Sequence, residues 1–388
     1  MKRDMRGTGH KLTLKAEGLD SCSIMKSIKT PRSVDIEITN DCNLRCKYCY
    51  HFTGPGDVRE DVPTGEWLSF FEELGRCAVM DVYIEGGEPF FREDLRELID
   101  GIVKNRMRFK LLSNGTLITD EVASYIASTG RCDNIQVSID GGSPQTHDLS
   151  RGKGSFHRAV AGINILRKHQ IPVGARVTIN RHNVRGLDEI AKFLLDDIGL
   201  PAFSTNSAGP MGLCRQNQEE MGLTVEDRQI AMESLLSLNK KYNGRIKAQA
   251  GPLADARQWR MMEQARREGR AQLPHCGFLS GCSGVMDKMA VRADGVMTPC
   301  TQMSHIQLGR INRDDLIEVW RHHPELKRLR ERAAIPLSTF EFCKGCEYMH
   351  YCTGNCPALA YATLKEDNHP SPDACLKRFL EAGGTIPE

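Results

Sequence analysis

The sequence lacks several features that would place it quickly. No run approaches the about 18 consecutive apolar residues of a membrane-spanning helix. The opening MKRDMRGTGHKLTLK has no apolar core of the kind a secretion signal carries. Charge of one sign is also missing. The 52 Lys and Arg against 50 Asp and Glu leave a formal charge of +2, which gives no footprint for a nucleic-acid or membrane-surface partner. With 35 glycines and 17 prolines in 388 residues, neither a collagen-like nor a disordered chain is in view. The remaining composition, 40% apolar and 26% charged, suits a soluble cytoplasmic protein with a large core. At about 150 residues per domain, two domains or one barrel with an appendage are expected.

Cysteine is the one excess, at 15 residues. An odd number in a long chain argues against a secreted disulfide scaffold, and a reducing cytosol disfavours disulfides. Eleven fall into three groups: Cys42, Cys46 and Cys49; then Cys276, Cys282 and Cys300; then Cys343, Cys346, Cys352, Cys356 and Cys375. Cys22, Cys77, Cys132 and Cys214 stand alone and read as buried apolar thiols.

From residue 33, short β-like runs alternate with amphipathic stretches. The strands are expected at 34–39, 81–87, 109–115, 134–142, 173–180 and 202–207. Helices are expected over 64–78, from about 93, over the run ITDEVASYIAS, over 156–168 and 186–197, and from near Thr224, with Thr64 and Thr119 as N-caps. Such alternation means a parallel sheet covered by helices. All six strands end in polar or glycine-rich sequence (CNLRC, GGEP, SNGT, DGG, NRHN, NSAG), and parallel sheets carry their chemistry at those ends. Six units suggest an α/β fold of the partial (β/α)6 TIM-like barrel type, open on one side; a doubly wound sheet shares the pattern. The expected division is an N-terminal extension (1–32), the barrel (33–243), a connecting helix (244–273) and a small cysteine-rich domain held by metal (274–388).

The first cysteine group is a C-x3-C-x2-C loop directly after the first strand. Three thiolates cannot fill four sites of a cubane iron–sulfur cluster, so one iron is left for a small molecule. Zinc held by three protein ligands and water is the rival reading of that geometry. One strand later comes Glu85-Gly86-Gly87-Glu88-Pro89, where the absence of Cβ atoms would let a ligand's polar end meet the backbone.

With CNLRCKYC and GGEP in this order on a βα frame, the sequence resembles the radical S-adenosylmethionine superfamily. The resemblance implies a 4Fe–4S cluster on Cys42, Cys46 and Cys49. Its open iron would chelate S-adenosylmethionine, whose reductive cleavage gives methionine and a 5′-deoxyadenosyl radical. It also implies that Gly86, Gly87, Glu88 and Pro89 lie against the methionine amine and Tyr48 against adenine. Ser138 would reach the ribose or the methionine carboxylate, Asn114 would line the pocket, and Arg151 would meet a carboxylate.

Behind the barrel, Cys282-x12-Gly295-x4-Cys300, Cys343-x2-Cys346-x5-Cys352-x3-Cys356 and, eighteen residues on, Cys375 resemble the SPASM pattern. Cys276 would be an eighth ligand. The resemblance implies two auxiliary 4Fe–4S clusters, on Cys276, Cys282, Cys300 and Cys356 and on Cys343, Cys346, Cys352 and Cys375, three clusters in all; four-thiolate zinc sites are the alternative. Sulfatase maturases carry an aspartate directly after the cysteine that Cys300 matches. Here Thr301 and Gln302 follow it, which departs from that family and leaves them as candidate catalytic positions, beside Glu85 and Tyr361.

The function implied is hydrogen abstraction from a ribosomally made peptide or protein, leading to a cross-link, oxidation or backbone cleavage. The alternative is a small-molecule substrate such as a tetrapyrrole, and a non-enzymatic zinc-stapled module is a third possibility. The 32 residues before the first strand are too few for a leader-recognition domain, so a separate recognition protein is expected. An external electron donor such as flavodoxin or ferredoxin is expected as well, and no nucleic-acid or membrane partner.

Overall fold

A computed structural model describes residues 28–53, 60–280 and 282–388. Apart from residues 28–32, the expected N-terminal extension, with Cys22, lies outside the described residues.

The six expected strands form as β1 (Ser33–Thr39), β2 (Asp81–Gly86), β3 (Arg108–Ser113), β4 (Cys132–Ser138), β5 (Val173–Ile179) and β6 (Phe203–Ser207). They lie side by side in chain order, each parallel to the next. A doubly wound sheet would reverse direction part-way; this one does not. Two short strands outside the six units extend the parallel run. β7 (Ile246–Ala248) pairs with β6, and β8 (Lys288–Val291) pairs with β1. β9 (Val296–Thr298) and β10 (Gly309–Arg310) finish that edge antiparallel. β7 thus lies inside the stretch expected to be a connecting helix, and the helix itself runs Pro252–Arg267.

The strands alternate in side-chain character. On β1, Val34, Ile36 and Ile38 are fully buried against the helices, whereas Asp35, Glu37 and Thr39 face the other way. On β2, Tyr83 and Glu85 stand opposite Asp35 and Glu37 in register. The outer face carries the core: Trp67, Phe70, Phe71 and Leu74 of α1 (Thr64–Arg76) and the apolar side of α2 (Leu95–Lys104) are buried on it. Each such side chain contributes about 1.5–3 kcal/mol. The inner face is polar and curls on itself, since Glu85 on β2 and Arg176 on β5 interact electrostatically across it.

Caps and breaks follow local chemistry. Thr119 caps α3 (Asp120–Ser128), its hydroxyl accepting from the Val122 amide at 3.3 Å. Thr64 does not cap α1: Pro63 takes the extended position, and the Thr64 hydroxyl donates to Asp94. A helix absent from the sequence reading, α4 (Pro144–Arg151), precedes α5 (Ser155–Lys168). The main core also runs on through Val285–Leu329, including Trp320. The rest of the C-terminal segment packs in two smaller clusters, one around Trp259, Cys276, Tyr348 and Phe379, the other of Leu279, Leu337 and Cys343.

Candidate functional site

The C-x3-C-x2-C loop is clamped from two sides. The Lys47 amide donates to the Ser150 carbonyl of α4 at 3.0 Å. On the other side, the Leu213 amide donates to the Cys49 carbonyl at 2.8 Å, and Asn217 Nδ2 to the Lys47 carbonyl at 2.9 Å. Gly212 sits in the left-handed region beneath this loop. A Cβ there would stand 2.5 Å from the Cys49 oxygen and 2.6 Å from those of Tyr50 and Phe52.

Burial pushes the Cys46 thiol up to about 12 and Cys42 to about 11, and raises Cys49 as well. A trio of thiolates is therefore unfavourable here unless a bound cation offsets it. Weak donors already point at the sulfurs: the Leu44 amide at 3.4 Å and Asn114 Nδ2 at 3.9 Å on Cys42, and an Arg151 guanidinium nitrogen at 3.8 Å on Cys46. Among the described residues, no three His, Cys, Asp or Glu side chains could hold one metal ion. A cubane makes a different demand, one sulfur for each of several irons, and the loop's three free thiols fit it.

The glycine pair is also required by the fold itself. A Cβ on Gly86 would lie 2.4 Å from the Thr39 oxygen, and one on Gly87 2.1 Å from that of Asp41. The close neighbour is the cysteine loop's own backbone, joined by the Gly87 amide to Thr39 and the Glu88 amide to Asp41, each at 2.8 Å. Glu88 is fully buried. Its carboxylate accepts from Ser113 Oγ and the Asn114 amide, both at 2.7 Å, and from the Phe90 amide at 3.2 Å. Burial still lifts it to about 7. Asn114 in turn donates to Asn43 Oδ1 at 2.9 Å, so the third strand's loop is tied to the cysteine loop. Pro89 is buried at the start of a single 3-10 turn.

The carboxylate that Arg151 meets is Asp140, at 2.5 Å, and both side chains are buried. Tyr48 donates its hydroxyl to the same carboxylate. The other Asp140 oxygen accepts the Thr178 amide at 2.7 Å, and the Asp140 amide donates to His147 Nδ1 at 3.1 Å. Asp140 thus anchors two expected site residues. An aspartate before Gly-Gly reads as turn chemistry, which hid it. Ser138 stands two residues earlier, at the end of β4.

Among the C-terminal cysteines, Cys343, Cys346, Cys352 and Cys375 line one largely apolar cavity. Cys282, Cys300 and Cys356 interact electrostatically with one another, and burial pushes Cys300 up to about 12. Cys276 belongs to the apolar cluster of Trp259, Tyr348 and Tyr351, and the neighbouring Gly277 amide donates to the Cys352 carbonyl at 2.8 Å.

Comparison with known proteins settles the family. Residues 36–194 match the radical SAM superfamily, and residues 282–347 match the SPASM iron-sulfur cluster-binding domain. The chain is a radical SAM protein with a SPASM domain. It is 29% identical to an AdoMet-dependent heme synthase of Methanosarcina barkeri over 86% of this chain and 93% of that one. With the mycofactocin maturase MftC of Mycobacterium ulcerans it shares 28% over 91% and 89%. The fold is that of Streptococcus suis SuiB bound to precursor peptide SuiA, with TM-score 0.68 and 15% identity over 90% of this chain and 77% of that one.

In this radical SAM/SPASM frame the two candidate catalytic positions diverge. Thr301 bonds the Tyr50 hydroxyl, so it faces the loop that carries Cys49. Gln302 offers only its amide, 3.3 Å from Cys300 Sγ, and its side chain is exposed. Tyr361 is stacked on His305, with ring centroids 3.5 Å apart.

Proposed function

We propose that this radical SAM/SPASM protein modifies a ribosomally made peptide or protein in the polar lumen of its barrel. Three thiols held at the mouth of that lumen, against the Gly86–Glu88 strand end, are the observation that carries this reading. The cluster on Cys42, Cys46 and Cys49 supplies, with S-adenosylmethionine bound, reductive cleavage to a 5′-deoxyadenosyl radical. This chain's own residues position and enclose. Asp140 orients Tyr48 and Arg151, and Glu88 braces the third strand's loop. Gly86, Gly87 and Pro89 fix the strand end against the cysteine loop, with Asn114 and Ser138 on the same rim.

Two auxiliary clusters, on Cys276, Cys282, Cys300 and Cys356 and on Cys343, Cys346, Cys352 and Cys375, complete a set of three. Electrons come from a flavodoxin- or ferredoxin-like donor, and a separate protein presents the leader of the precursor. The relatedness to mycofactocin maturase along most of both chains supports a peptide substrate. A second reading, a tetrapyrrole substrate, draws on the heme synthase relatives.

Anaerobic reconstitution tests both. About twelve iron atoms per chain are expected, four for each cubane, with 5′-deoxyadenosine formed on reduction. A mass change in a precursor peptide supports the first reading; a change confined to an isolated tetrapyrrole carboxylate replaces it with the second.

A further inference from the structure

Arg332 stands beside the C-terminal cysteines and is only 1% exposed. Its guanidinium is bonded to neutral oxygens. Nε donates to the Asp367 carbonyl at 3.0 Å and Nη2 to the His369 carbonyl at 3.1 Å. Nη1 donates to the Ser280 carbonyl at 2.6 Å and to Ser280 Oγ at 3.2 Å. Ser280 in turn joins two cysteine loops. It lies two residues before Cys282, and its hydroxyl donates at 2.7 Å to the carbonyl of Asn355, the residue before Cys356. Arg332 accordingly interacts electrostatically with Cys356 and Cys282.

These bonds satisfy its donors and leave its charge. Among the described residues no carboxylate pairs with Arg332, and the Asp367 carboxylate is taken by Arg328 through both oxygens, each at 2.7 Å. A buried cation without a counter-ion is strongly unfavourable, and burial lowers Arg332 to about 10. The other cations near these thiols are matched. Lys288, which acts on Cys282 and Cys300, is paired with Asp35 at 2.8 Å. Lys377, which acts on Cys343 and Cys346, is half-buried and 4.0 Å from Glu381. Arg330, also buried, lies over the Trp320 ring at 4.6 Å. Of these cations, Arg332 is the one left with neither a carboxylate nor a ring. The surrounding thiols fit an iron–sulfur cluster on this ground too, because a cubane on four thiolates is a net anion and one more electron makes it more negative.

We propose that Arg332 is the charge partner of the auxiliary cluster on Cys276, Cys282, Cys300 and Cys356, and that it raises the potential at which this cluster accepts an electron. This role rests on the auxiliary-cluster reading above. One electron leaves the reduced donor protein, which is oxidised, and enters the cluster, which is reduced; no bond breaks and no proton moves. A fixed positive charge beside the acceptor favours that step.

The test is an EPR-monitored redox titration of the full-length, reconstituted protein, with iron, zinc and sulfide counted alongside. In Arg332→Gln one couple should become about tenfold harder to reduce, a shift of about 59 mV to lower potential, while the other couples stay in place. Arg332→Lys keeps the charge and should restore most of the shift. Unmoved couples in a fully loaded Arg332→Gln would overturn the role. An equal shift in Arg332→Lys would do so too, since it would trace the effect to lost hydrogen bonds. If Arg332→Gln loads about four iron atoms fewer, full loading of Arg332→Lys supports the role and an equal deficit overturns it. If Arg332→Gln does not fold, Arg332→Lys decides alone: wild-type couples support the role and a displaced couple removes it. Zinc in place of iron at the C-terminal thiols of the wild type is a separate failure, of the cluster reading itself, and takes the role of Arg332 with it.

Discussion

The barrel and the last fifty residues hold themselves together by different means. In the barrel, one continuous apolar cluster runs from Val34 through the helices and on to Trp320. Beyond about residue 335, the chain runs through short 3-10 turns and two short helices, Pro357–Leu364 and Leu376–Glu381. With Trp259, Cys276 and Leu279 from earlier in the chain it forms two small clusters in which Cys276 and Cys343 are themselves core members. An apolar core of the first kind folds on burial alone. The second kind has too little to bury, and its thiols, raised by burial, need a bound cation before they become useful anions. The difference teaches where metal is structural and where it is only functional.

Stripping iron from the reduced protein should therefore give the largest contrast. Residues 335–386 should gain about a hundredfold or more in amide hydrogen exchange while β1–β6 keep their protection; equal loss in both regions would break the comparison. Gly87→Ala probes a place where the barrel presses against the cysteine loop. A Cβ there would stand 2.1 Å from the Asp41 oxygen, so the cysteine loop must move by a fraction of its own width. Cleavage of S-adenosylmethionine should drop by about a hundredfold, and thermal melts should report a loss of about 1–3 kcal/mol from the crowded backbone.

Asp140→Asn sharpens the barrel side. It leaves the buried Arg151 without a charged partner, and thermal melts should report a loss of about 3–5 kcal/mol. The exposed pair Lys168–Asp120 is a control whose removal should leave the melts unchanged. The last effect, seen only as pH changes, comes from His147, which burial lowers to about 4 from an ordinary 6.5. Between those values the unfolded chain binds a proton that the folded chain does not, so stability falls as pH drops through that window. His147→Gln should flatten the slope there, as seen in the difference between the variant's and the wild type's melts.

The six βα units were legible because each strand is long enough to show its pattern and ends in distinctive loop chemistry. β7 and β8 were not: with three and four residues they carry no periodicity, and they are strands only because β6 and β1 offer them an edge. The cysteine groups could be picked out from spacing alone. What lay beyond reach was partnership at a distance. Nothing local marks Asp140 as the anchor of Tyr48 and Arg151. Likewise, the crowding of Gly87 against Asp41 exists only once β1 and β2 are side by side.

The ladder between Ser33–Ile36 and Lys288–Val291 has a bearing on how the chain is made. β1 leaves the ribosome long before β8, so one of its edges stays bare while the intervening chain is synthesised. A naked parallel edge is an invitation to mispairing with other nascent chains. Overexpression without matching chaperone capacity should send this protein into inclusion bodies before any shortage of iron is felt.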